Sequence, residues 1–68
     1  MTHVWTKDAY AREYQHARRE ADDAHRNNDG AASTGWSMRA HQVAAHAAKT
    51  LGFGSPDEAA IALRAAKA

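Results

Sequence analysis

The sequence predicts an all-α fold: a long antiparallel helical hairpin with a short C-terminal helix packed across its open end. Two observations carry this. Apolar residues recur at steps of three and four through two long stretches, the spacing of one helix face and not of a strand. Alanine, the best helix former, dominates the apolar fraction. Turn-forming residues gather at Asn27-Asn28-Asp29-Gly30 and again around Gly52-Phe53-Gly54, which divides the chain into three helical segments.

The first helix is expected over about 7–27. Thr6 is placed to cap it by accepting from a backbone N–H with no helical partner, and Asp8 suits the positive end of its dipole. Trp5, just before the cap, can fold back on Tyr10 as a hydrophobic staple. Tyr10, Tyr14, Ala17, Ala21 and Ala24 step by four and three, a seam of two residues per heptad. Arg12, Gln15, Arg19, Asp22 and Arg26 then point away from the seam, and Glu13, His16 and Glu20 line one flank.

Asn and Gly tolerate the left-handed backbone that ends helices, so Asn27 to Gly30 closes this segment. The second helix is expected over about 34–51, with Ser33 or Thr34 as its cap. Trp36, Ala40, Val43, Ala44, Ala47 and Leu51 fall on one wide face that admits a close partner backbone. A short connector makes the two helices antiparallel neighbours. Gly52 suits the position after the helix end, and Phe53 can close against that end. Ser55-Pro56-Asp57-Glu58 reads as a cap, a proline where its missing N–H costs nothing, and a capping-box glutamate. The third helix is expected over about 56–66, anchored by Ala60, Ile61 and Leu63.

The 68 residues form a single small domain. A chain this short buries roughly 60% of its unfolded surface. One core of this size rarely supplies more than about 3–5 kcal/mol without a staple. With no cysteine, a disulfide and a thiolate metal site are both excluded. Self-association is therefore expected, two hairpins meeting through their alanine-rich faces to give a four-helix core. Trp5, Tyr10, Tyr14, Trp36 and Phe53 would fill its ends. The formal net charge of +1 creates no global field toward nucleic acid or lipid. No apolar run is long enough to span a membrane, and Met1 to Tyr10 lacks the pattern of a signal peptide, so cytoplasmic residence is the expectation.

Few residues carry chemistry. Glu13 and His16 have the Glu-x-x-His spacing that places both on adjacent turns of one helix face. A dimer doubles such ligands, so His16, Glu13 and Glu20 form the candidate metal set. The alternative is that the histidines are solvated on polar faces. Nucleophilic catalysis has little support, because Ser33, Ser37 and Ser55 sit at cap or turn positions with no base paired to them in sequence. The arginines of the first helix interleave with Glu13, Glu20, Asp22 and Asp23, which reads as a solvated face laced by ion pairs such as Asp22–Arg26.

Gln42 to Leu63, with Ala48, Gly52 and a capped helix carrying Ile61, resembles the helix-turn-helix of bacterial repressors. That resemblance implies a recognition helix starting at Pro56. Asp57 and Glu58 there would repel phosphate, and Ala59 and Ala60 cannot read base edges. Leu51-Gly52-Phe53 with Glu58-Ala59 and Ala62-Leu63 is similar to the loop and second helix of ubiquitin-associated domains, which implies a partner-binding loop. The expected function is a non-enzymatic helical interaction or regulatory module, acting through protein–protein contacts and self-association and needing no cofactor. A metal-binding helical oligomer is the alternative, and a small nucleic-acid-associated protein the third reading. Neither nucleic acid nor membrane is an expected partner.

Overall fold

A computed structural model describes residues 6–66. The described chain is all helical: α1 spans Lys7–Arg26, α2 Gly30–Leu51 and α3 Pro56–Ala65. α1 and α2 form the hairpin, and α3 lies against both. The staple expected from Trp5 lies outside the described residues.

The caps explain where each helix begins and ends. Thr6 Oγ1 accepts from the N–H of Ala9 at 3.2 Å, as the sequence predicts. At the far end of α1, Asn28 has φ 58°, the left-handed conformation. Its N–H donates to the carbonyl of His25 at 3.1 Å, and the N–H of Asp29 donates to that of Ala24 at 2.8 Å. These two bonds make a Schellman motif, which satisfies carbonyls that the helix leaves unpaired. Asp29 then turns to its second task, and its carboxylate accepts from the N–H of Ala32 at 3.1 Å. α2 therefore starts at Gly30, four residues before the expected Thr34, because the Asp29 carboxylate already supplies a cap ahead of Ser33 and Thr34.

The second corner follows the sequence more closely. Gly52 adopts φ 83°, and its N–H donates to the carbonyl of Ala48 at 3.1 Å. Ser55 Oγ accepts from the N–H of Glu58. The glutamate's return bond goes to the N–H of Gly54 at 3.0 Å, one residue before the cap itself.

The core consists of two tyrosines, one leucine, one valine and many alanines. Tyr10, Tyr14 and Ala17 from α1 meet Ala40, Val43, Ala44 and Ala47 from α2, with Ala59 and Leu63 of α3 across them. Ala21 is buried as expected, whereas Trp36 and Phe53 are only partly buried against the cluster. Ala11 and Ala48, absent from the expected set, are buried as well. Each helix touches the other two, so its apolar stripe must be wider than a two-helix seam. Two expectations are corrected. Ile61 is 71% exposed, because Ala59 and Leu63, one turn apart, point α3's buried face the other way. Leu51 is 37% exposed at the last position of α2, and Phe53 instead covers that corner. The alanine faces are thus buried within a single chain, against its own helices.

Candidate anion-binding groove

The junction of the three helices leaves an open groove on one side of the molecule. Its outer part, about 480 Å³, lies along α1 beside Gln15, Arg18, Arg19 and Asp22 and reaches Arg64 of α3. Its inner part, about 250 Å³, runs between Ser37 and His41 of α2 and Pro56 and Asp57 of α3. Tyr14, Arg18 and Arg64 border both parts.

Local structure places each of these groups. Tyr14 is a core residue whose ring is buried, and its hydroxyl accepts from Arg64 Nη2 at 3.4 Å, a long bond. Arg18 lies one turn beyond Tyr14 on the same side of α1 and is half-buried. Gln15 lies between them in sequence, and its amide nitrogen donates to the carbonyls of Leu63 and Ala66. That bond pair holds the end of α3 against α1 and so fixes where Arg64 stands. The expectation that Gln15 points away from the packed side is corrected: α3 occupies that side. Among the described residues no carboxylate lies within ion-pair reach of Arg18, Arg19 or Arg64.

The ion pairs fall elsewhere. Arg26 pairs with Asp23 at 2.7 Å, not with Asp22, and both side chains are well exposed, so the pair contributes little. Arg39 reaches Glu13 at 3.8 Å across the hairpin, again in solvent.

The structure gives the candidate metal residues other neighbours. Glu13 faces Arg39, while exposed His16 meets the Trp36 ring edge-to-face at 5.4 Å. Glu20 is half-buried. Among the described residues no three His, Asp or Glu side chains gather as a metal group. His46 Nδ1 lies 3.0 Å from the Tyr10 hydroxyl, which gives this histidine a structural contact that its sequence position did not suggest. Ser37, His41 and Asp57 share the inner groove. No hydrogen bond joins them among the described residues, so they do not form a nucleophile–base pair in this geometry.

Sequence reasoning missed Arg64 as a partner of Arg18. They are 46 positions apart, and only the docking of α3 on α1 brings them to one groove. Among the described residues no helix is long and apolar enough to cross a membrane. No protein-family model matches this chain, and no curated protein or solved structure is significantly similar to it.

Proposed function

We propose that this chain is a small non-enzymatic interaction module, working through protein–protein contacts that include contacts between copies of itself. One observation carries the reading: Arg18, Arg19 and Arg64 converge on an open groove without a carboxylate partner among the described residues. Guanidinium groups left free at a concave junction are suited to recognising another molecule's acceptors. The groove is open to solvent, which suits a group presented by a partner's surface. Self-association would use surface outside the core, because the alanine faces are already covered within the chain. Exposed Met38 on the outer side of α2 is the largest apolar group of that helix still facing solvent.

The test is sedimentation velocity over a wide range of concentration, on the chain and on Met38→Glu. Growth of a heavier species with concentration, lost in Met38→Glu, supports contact between copies through this face. A boundary of single-chain mass at every concentration overturns the self-association half of the reading.

A further inference from the structure

We propose that the groove binds one side-chain carboxylate of an acidic segment in a partner protein, with Arg18 and Arg64 as the two principal contacts. The proposal rests on the interaction reading above and names the chemistry of its partner.

Donors dominate the inner surface. A guanidinium carries five N–H donors in a planar fork that matches the two oxygens of a carboxylate. Arg64 spends one donor on the long bond to Tyr14, which leaves the rest free. Arg18 makes no hydrogen bond or ion pair among the described residues and is already half-buried, so it loses less freedom on binding than a fully exposed arginine. Gln15 does not compete for the ligand, because its amide nitrogen is held by Leu63 and Ala66.

Charge selects carboxylate over phosphate. Three guanidinium groups line the groove together with two carboxylates, Asp22 and Asp57, leaving one positive charge. One carboxylate neutralises that charge. A phosphate monoester, near −2 at neutral pH, would leave the site negative between two aspartates. Arg18 and Arg64 line both the outer part, with Asp22, and the inner part, with Pro56 and Asp57, so a carboxylate presented to either part meets the same two guanidinium groups.

The probe is a peptide of alternating glutamate and alanine, blocked at both ends, followed by amide shifts in the NMR spectrum of the full chain. Two companion peptides carry glutamine or phosphoserine in place of glutamate. The glutamate peptide is expected to move amides around Tyr14, Arg18 and Arg64 and to bind more weakly as salt rises. Arg18→Gln and Arg64→Gln are each expected to weaken it about tenfold. Lys49→Gln, which removes the same charge from the exposed end of α2, is expected to leave binding unchanged. The same spectra report whether each variant is folded.

Equal binding of the glutamine peptide overturns the proposal, as does an equal loss in Lys49→Gln, which would mean diffuse attraction. Tighter binding of the phosphoserine peptide, with the same dependence on Arg18 and Arg64, overturns the carboxylate assignment in favour of phosphate. Absence of any shift in the groove with all three peptides overturns the site. In that case the self-association half of the interaction reading is decided separately, by sedimentation.

Discussion

Gln15 of α1 donates its side-chain amide to the carbonyl of Leu63 at 2.9 Å, tying the middle of the first helix to the last turn of the third. The same nitrogen reaches the carbonyl of Ala66 at 2.7 Å. Carbonyls in a final helical turn lack intrahelical partners, and here a side chain from another helix supplies one. Two acceptors need two N–H donors on one atom, which the amide of glutamine provides.

This contact makes the fate of α3 depend on one residue of α1. Gln15→Ala should destabilise the chain by about 1–3 kcal/mol, because two partly buried carbonyls lose their donor. Gln15→Glu should be worse than alanine at neutral pH, since a carboxylate turns acceptor oxygens toward acceptor oxygens. Urea titration followed by circular dichroism measures both. A glutamate variant more stable than the alanine variant would count against the contact.

Leu63 and Ile61 test how α3 is phased. Leu63 is fully buried and Ile61 is 71% exposed, although the two are similar in size and only two residues apart. Leu63→Ala should cost about 2–5 kcal/mol. Ile61→Ala should stay within about 0.5 kcal/mol of the parent, as surface changes do. Thermal melting of the two variants side by side decides it; comparable losses would mean that α3 docks by a different face.

These residues also show what the sequence discloses and what it withholds. Helix type, helix number and the seam Tyr10–Tyr14–Ala17–Ala21 follow from spacing, because a long amphipathic stretch repeats its signal over several turns. A ten-residue helix with apolar groups at 59, 60, 61, 62 and 63 does not repeat it, and the direction of its buried face is decided only by what it docks on. Asp29 misleads for a related reason. Asp-Gly reads as a turn, but the bond that matters is the local one from the Ala32 N–H, which competes for the same carboxylate. The groove was not legible at all. Arg18 and Arg19 look like members of a solvated, charge-balanced face until α3 delivers Arg64 beside them.

The two left-handed positions should respond differently to substitution. Gly52 has φ 83° with open space where a Cβ would stand, so Gly52→Ala is penalised by backbone conformation alone, by about 1 kcal/mol. Asn28 has φ 58° and already carries a side chain, so Asn28→Gly should be close to neutral, whereas Asn28→Val should cost more than Asn28→Ala. Chemical denaturation of the four variants gives the order. A stabilised Gly52→Ala would mean that the corner does not need the left-handed conformation.

Tyr10 and His46 provide the last prediction. The Tyr10 ring is buried, its hydroxyl lies 3.0 Å from His46 Nδ1, and the two rings meet edge-to-face with centroids 5.5 Å apart. This contact ties the N-terminal half of α1 to the C-terminal half of α2, at the end of the hairpin away from the Asn28 turn. Tyr10→Phe keeps the ring and removes the hydroxyl, while His46→Ala removes the other partner. Each single change should destabilise, and the double variant should be less damaged than the sum, with a coupling of about 0.5–1.5 kcal/mol. Tyr10→Ala should be far more costly, about 3–5 kcal/mol, because it also empties a close-packed site among alanines whose short side chains cannot reach across the gap. A double-mutant cycle by urea denaturation supplies the number. Strict additivity of Tyr10→Phe and His46→Ala would show that the hydroxyl and the imidazole do not stabilise one another.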